Sequence, residues 1–87
     1  MKKITMFIIE SCPACMEALH WMDVLLLENT AYTSLTIEKI DGFQRLDLVG
    51  KYEYHYVPAF YVGEEKVHEG VASFDKIRRV FDAAMGA

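Results

Sequence analysis

The sequence contains few of the residues that cross-link or interrupt a fold. Its 87 residues include two cysteines and two prolines, so at most one disulfide can form within the chain. It also lacks a long apolar run, because no segment approaches the roughly 20 residues of a membrane-spanning helix. The start, Met1-Lys2-Lys3 and an apolar run, imitates an export signal, but that run is short and ends at Glu10. We therefore expect a cytoplasmic protein with no membrane partner.

Positive charge is scarce and scattered. Nine Lys and Arg residues stand against 13 Asp and Glu residues, and the formal net charge is −4. A nucleic-acid-binding domain usually presents a basic patch, whereas the pair Arg78-Arg79 is most simply the solvated side of a helix. We expect no nucleic-acid partner.

The chain does contain enough apolar material for one core. Hydrophobic residues make up 53% of the sequence and charged residues 25%, a balance typical of a globular fold rather than a disordered one. A chain of 87 residues has little room for a second core. Residues 1–87 are therefore predicted to form a single domain, which we expect to be a monomer.

Both cysteines belong to one motif, Cys12-Pro13-Ala14-Cys15. A proline directly after Cys12 suits the first turn of a helix, so Cys12 is predicted at the helix start. Unpaired N–H groups and the positive end of the helix dipole favour a thiolate there. Cys15 follows one turn later on the same face, within reach of a disulfide with Cys12. The motif predicts dithiol–disulfide exchange, with Cys12 as the attacking nucleophile and Cys15 as the resolving thiol.

Other uses of a Cys-x-x-Cys pair remain open. A structural zinc site usually needs four ligands, and His20, His55 and His68 lack the spacing that would complete one. An inert disulfide is a second alternative, although disulfides in the cytoplasm are usually transient. A third is a binding module that holds a metal through the pair, with His55 or a partner's ligand, or docks a protein without chemistry. We favour redox exchange through a Cys12–Cys15 disulfide, with no metal and no bound cofactor.

The spacing of apolar residues predicts the element order β-α-β-α-β-β-α. Predicted strands cover residues 3–9, 35–40, 58–62 and 66–68, and predicted helices cover residues 13–28, residues 44–54 and the segment after the N-cap Ser73. The first strand should be central, parallel to the second through a right-handed crossover, and the last two strands should form an antiparallel hairpin. This is a four-stranded mixed sheet flanked by three helices.

The element order, with Cys-x-x-Cys after the first strand and Val57-Pro58 before the third, resembles the thioredoxin superfamily, and at this length its glutaredoxin-like members. The resemblance implies a thioredoxin-like α/β fold and a small thiol–disulfide oxidoreductase that acts on disulfide-containing proteins. It also implies a cis peptide bond before Pro58, packed against the active-site disulfide, and a Val57 backbone free to pair with an extended substrate. Pro13, Tyr56, Val57 and Pro58 are the candidate substrate-binding residues.

Simpler roles remain open for some of these residues. On the residue pattern alone, Pro58 is equally well an ordinary trans proline at the start of an edge strand. The tyrosines near it in the sequence are Tyr52, Tyr54, Tyr56 and Tyr61. They fit core and rim packing, or Tyr56 belongs to a substrate groove.

The segments that bind glutathione in glutaredoxins differ here. Glutathione-dependent members typically carry a basic residue before Cys-Pro, where this chain has Ile9-Glu10-Ser11. They also carry a Gly-Gly pair followed by an Asp-containing segment at the start of the last helix. The matching segment here, Glu69 to Ser73, keeps Gly70 but has no acidic residue after it. Glu10 and Glu17 would also repel glutathione, unless both are solvated charges with little effect. We therefore expect thioredoxin reductase with NADPH, rather than glutathione, as the electron donor. The expected potential lies nearer to the roughly −270 mV of thioredoxin than to the roughly −200 mV of glutaredoxins.

Overall fold

The fold is described from a computed structural model. The structure describes residues 1–86, and at Val49 it describes the backbone only. Ala87 of the predicted domain lies outside the described residues. The strands are β1 (Ile4–Ile8), β2 (Ile37–Asp41), β3 (Ala59–Val62) and β4 (Glu65–Glu69), and the helices are α1 (Pro13–Glu28), α2 (Leu46–Lys51) and α3 (Phe74–Met85).

The four strands form one sheet in the order β2-β1-β3-β4. β1 is parallel to β2 and antiparallel to β3, and β3 and β4 form an antiparallel hairpin. Ile4, Met6 and Phe7 in β1 are fully buried because layers of side chains cover both faces of this central strand. The structure thus confirms the predicted mixed sheet with three helices.

The two faces of the sheet carry cores of different size. The larger core lies between the sheet and the helices α1 and α3, and it includes Ile4, Met6, Met22, Leu25, Phe60, Ile77, Val80 and Phe81. The smaller core on the other face contains Phe7, Ile40, Ala59 and Tyr61, with Leu48, Tyr52 and Tyr54 packed against it. Glu17, His20 and Asp23 of α1 are exposed, as its amphipathic pattern predicts.

The predicted helix over residues 44–54 is wrong at both ends, because α2 covers Leu46–Lys51 only. Tyr52 and Tyr54 both pack on the Phe7 ring, with ring centroids 5.2 Å and 4.7 Å away. Residues two positions apart lie on the same side of an extended backbone but not of a helix. Contact with Phe7 therefore accompanies an extended backbone after Lys51, where the sequence pattern predicts helix.

A 3₁₀ helix, Thr30–Ser34, follows α1 and is absent from the sequence prediction. The Asn29 side chain accepts a hydrogen bond from the Ala31 N–H at its start, and the Leu35 N–H closes its end. β2 consequently starts at Ile37, two residues later than predicted. The Tyr32 hydroxyl donates to Asp82 of α3 at 2.6 Å, which ties this segment to the larger core.

Candidate active site

Cys12 occupies the N-cap of α1, directly before Pro13. Its Sγ accepts a hydrogen bond from the Cys15 backbone N–H at 3.1 Å, and its carbonyl oxygen accepts one from the Met16 N–H. The sulfur thus takes the place of the oxygen in a usual N-cap residue. A donated N–H and the positive end of a 16-residue helix both stabilise negative charge on this atom.

Cys15 lies deeper in the same helical turn. Its exposed fraction is 2% against 9% for Cys12, and both cysteines are free thiols. Burial, and next the hydrogen bond with Cys12, raise the pKa of Cys15 to about 11, against a smaller opposing effect of the Ile9 backbone. Cys15 therefore keeps its proton at neutral pH, whereas Cys12 Sγ lies nearer the surface at the head of the helix.

Glu10 and Ser11 connect β1 to the Cys12 helix start, and both are exposed. Ser11 has φ 61°, in the left-handed region that non-glycine residues rarely adopt. The chain reverses sharply here, so Cys12 follows directly from the end of the central strand.

The loop before β3 lies at the same edge of the sheet as Cys12. β3 runs antiparallel to β1, and Phe7 at the end of β1 pairs with Ala59 at the start of β3. The Val57–Pro58 peptide bond is cis. Pro58 is buried, Val57 is half-buried, and Pro13 and Tyr56 are exposed.

The Val57 backbone has free hydrogen-bonding groups in this loop. Among the hydrogen bonds of residues 1–86, none uses the Val57 N–H or carbonyl group. The neighbouring Pro58 carbonyl accepts from the Gly70 N–H at 2.8 Å. An unpaired backbone beside a strand can accept an additional extended segment.

Glu69 holds the same loop, a contact that sequence reasoning missed. Its Oε2 accepts hydrogen bonds from the backbone N–H groups of His55 at 2.9 Å and Tyr56 at 3.1 Å. Its Oε1 accepts from Lys66 Nζ at 2.7 Å. The Lys66 ammonium, and next the two backbone N–H groups, lower the pKa of Glu69 to about 2. No local pattern signals this contact, because the loop lies 13 and 14 residues away in sequence.

The four tyrosines near Pro58 in the sequence divide into two groups. Tyr52, Tyr54 and Tyr61 pack around Phe7, with ring centroids between 4.7 Å and 6.1 Å from its ring. Tyr56 stands apart and is 68% exposed. Three of these four tyrosines therefore belong to the smaller core and its rim, and Tyr56 lies outside that cluster, in the loop before β3.

The residues next to the cysteine pair in sequence are apolar and acidic. Met16 is 67% exposed, and Glu10 and Glu17 are exposed as well. Within residues 1–86, no cluster of three or more His, Cys, Asp or Glu side chains could hold a metal ion.

Across the same residues, no helix has the length and apolar character needed to cross a membrane.

Several solved structures share this architecture. An oxidised thioredoxin from Plasmodium falciparum matches with a TM-score of 0.69 at 18% identity, over 92% of this chain and 77% of that protein. An uncharacterised thioredoxin-like protein from Clostridium perfringens matches with a TM-score of 0.70 at 22% identity, over 97% and 71%. A mutant thioredoxin from Halobacterium salinarum matches with a TM-score of 0.67 at 19% identity, over 93% and 72%. The chain has a thioredoxin-like fold.

These low identities establish the thioredoxin-like fold and nothing finer. No protein-family model and no curated protein sequence matches the chain. The narrower resemblance to glutaredoxin-like proteins stays a prediction, because the structures named above are thioredoxins and a thioredoxin-like protein.

Proposed function

We propose that the protein is a thiol–disulfide oxidoreductase that reduces disulfides in protein substrates. The observation that supports this most is the hydrogen bond from the Cys15 N–H to Cys12 Sγ at the head of α1. It favours a thiolate at Cys12, and the second thiol lies in the same turn of the helix. A thioredoxin-like fold with such a pair is compatible with a redox-active dithiol.

The reaction proceeds in two exchange steps. The Cys12 thiolate attacks one sulfur of the substrate disulfide, forms a mixed disulfide and releases the other sulfur as a thiolate. Cys15 then gives up its proton to solvent or to the released thiolate and attacks the Cys12 sulfur, which breaks the mixed disulfide and releases the second substrate sulfur as a thiolate. The products are a Cys12–Cys15 disulfide and a fully reduced substrate, so two electrons pass from the pair to the substrate.

The loop before β3 supplies the binding surface for this substrate. An extended segment pairs with the free N–H and carbonyl groups of Val57, as in the addition of a strand to a sheet. Pro13, Tyr56 and Pro58 complete the substrate-binding residues in this proposal. The exposed rings of Pro13 and Tyr56 would contact residues that flank the substrate cysteine.

The electron donor in this proposal is thioredoxin reductase with NADPH rather than glutathione. The exposed carboxylates of Glu10 and Glu17 flank the Cys12 motif in sequence and repel the carboxylates of glutathione. In the reducing cytoplasm, where we place the protein, such a pair would act as a reductant. The protein needs no bound cofactor beyond its own dithiol.

Replacing each cysteine by serine tests the mechanism. In an insulin-reduction assay, Cys12→Ser should abolish turnover because it removes the nucleophile. Cys15→Ser keeps the nucleophile and should accumulate a mixed disulfide, detectable by mass spectrometry. Unchanged turnover in Cys12→Ser would refute the mechanism, and one equivalent of tightly held zinc in protein purified under reducing conditions would favour the binding module instead.

A comparison of two coupled assays tests the donor. NADPH oxidation is followed with thioredoxin reductase in one cuvette and with glutathione and its reductase in the other. We expect turnover in the first cuvette to exceed turnover in the second. Faster turnover with glutathione would contradict the proposed donor while leaving the cysteine mechanism intact.

A further inference from the structure

The loop that presents Val57 is held from one side by the end of β4. Glu69, the last residue of β4, pairs with Ala59 of β3, and its carboxylate reaches the two residues directly before Val57. One oxygen, Oε2, accepts both the His55 and the Tyr56 N–H groups. Two consecutive backbone N–H groups that donate to one carboxylate oxygen restrict the orientation of the two peptide units that carry them.

The other Glu69 oxygen is occupied as well. Lys66 Nζ lies 2.7 Å from Oε1, and the two side chains are 34% and 22% exposed. This ion pair limits the rotation of the carboxylate, so Oε2 stays directed at the loop. The pKa of Glu69, lowered to about 2, leaves the carboxylate ionised across the physiological pH range.

Gly70 extends the contact by one residue. Its N–H donates to the Pro58 carbonyl, so the loop is bonded to β4 and the residue after it on both sides of Val57. Its φ of +91° favours glycine, and a side chain there would lie 3.9 Å from the Tyr56 Cβ. Val57 thus lies between two anchored points while its own N–H and carbonyl groups stay free.

We propose that Glu69 is a positioning residue that sets the orientation of the Val57 backbone, and thereby the binding of extended peptide substrates. This inference depends on the proposed thiol–disulfide exchange and assigns a role in it to a side chain that does not touch the reacting sulfurs. Substrates that use the Val57 backbone depend on Glu69. Small disulfides, which react at Cys12 without pairing to the loop, do not.

Two probes with the same leaving group separate these cases. One is a short extended peptide whose cysteine is joined to thionitrobenzoate, and the other is free cysteine joined to thionitrobenzoate. Attack by Cys12 on the cysteine sulfur releases the same coloured thiolate from both. The rate of a single turnover of pre-reduced protein is measured with each probe, in wild type and in three variants.

The variants separate the loop contact from the ion pair. Glu69→Ala removes the acceptor for both N–H groups, Glu69→Gln keeps one carbonyl oxygen for them, and Lys66→Met removes the ammonium but keeps the carboxylate. We expect Glu69→Ala to slow the peptide reaction by about tenfold, the worth of roughly one lost backbone hydrogen bond, and the cysteine reaction by less than about twofold. Glu69→Gln and Lys66→Met should react with the peptide at rates within about threefold of wild type.

Amide hydrogen exchange gives an independent readout. The His55 and Tyr56 amides should exchange faster in Glu69→Ala and stay protected in Glu69→Gln, at unchanged protection of β1. An unaltered peptide rate in Glu69→Ala would overturn the positioning role and leave the proposed function standing, as would an equal slowing of both probes. Wild-type protein that reacts with neither probe would overturn the proposed function, and the positioning role with it.

Discussion

At the scale of single residues, Cys12 and Cys15 show how one side-chain type acquires two chemistries. Cys12 Sγ accepts an N–H at the head of α1, where negative charge is stabilised. Cys15 is 2% exposed, and its burial opposes the loss of its proton. Their surroundings alone therefore suit the two sulfurs to the proposed roles of attacking and resolving thiol.

Alkylation rates should show this division. Iodoacetamide reacts with thiolates, so near neutral pH it should modify Cys12 first and Cys15 far more slowly. The pKa of Cys15 is raised to about 11, so its thiolate fraction and its reaction rate should increase as the pH rises toward that value. Peptide mass mapping over a time course measures both rates. Modification of Cys15 ahead of Cys12 would contradict the assigned roles.

Ser11 supports a second prediction at this scale. Its φ of 61° disfavours a β-branched side chain, so Ser11→Val should destabilise the reduced protein by about 1–2 kcal/mol. Ser11→Gly is the matched control, because glycine adopts this conformation without a Cβ contact and should stay within about 1 kcal/mol of wild type. Urea unfolding measures both changes. Equal stability of the valine and glycine variants would show that the turn carries no such constraint.

At the scale of elements, α3 has a well-defined signal at each end. Ser73 Oγ accepts a hydrogen bond from the Lys76 N–H at 3.3 Å, and Gly86 ends the helix with φ 88°. Both features are local, since each end is determined by residues within one turn of it. α3 packs Ile77, Val80 and Phe81 into the larger core, so its ends matter for the whole fold.

Removing the N-cap should weaken the fold by a predictable amount. Ser73→Ala deletes the side-chain acceptor and should lower the free energy of unfolding by about 1 kcal/mol. Ser73→Asp keeps an acceptor and adds a charge that favours a helix N-terminus, so it should match or exceed wild type. Urea titrations compare the three proteins. The cap would be irrelevant if the alanine variant unfolded at the wild-type midpoint.

At the scale of the whole molecule, the two faces of the sheet are covered unequally. α1 and α3, helices of 16 and 12 residues, cover one face. The other face carries α2, which has six residues, together with the packed tyrosines. Leu46 at the start of α2 is 69% exposed, so this apolar side chain of α2 contributes little to the core.

This asymmetry predicts unequal local stability. The free energy required for local opening is lower for short, partly exposed elements than for the rest of the molecule. The amides of α2 should therefore exchange at least about tenfold faster than those of β1 and α3. Hydrogen exchange followed residue by residue measures this, with the α1 amides near its middle as an internal control. Equal protection of α2 and β1 would mean that the protein opens only as one unit.

The sequence by itself determined the elements whose signals are local. Pro13 after Cys12 located the start of α1, Ser73 located the start of α3, and an apolar run identified β1 as a central strand. The cysteine motif also identified the candidate site, because helix geometry places residues three apart on one face. Each of these inferences depends on neighbours within about one turn of the chain.

Tertiary structure alone decided the features that depend on distant residues. Phe7 packs with Tyr52 and Tyr54 where α2 stops short of its predicted end, and Glu69 binds a loop 13 and 14 residues away. The deeper burial of Cys15 compared with Cys12 also comes from packing by other elements. Local sequence patterns carry no information about such contacts, because these contacts form only when the fold brings remote segments of the chain together.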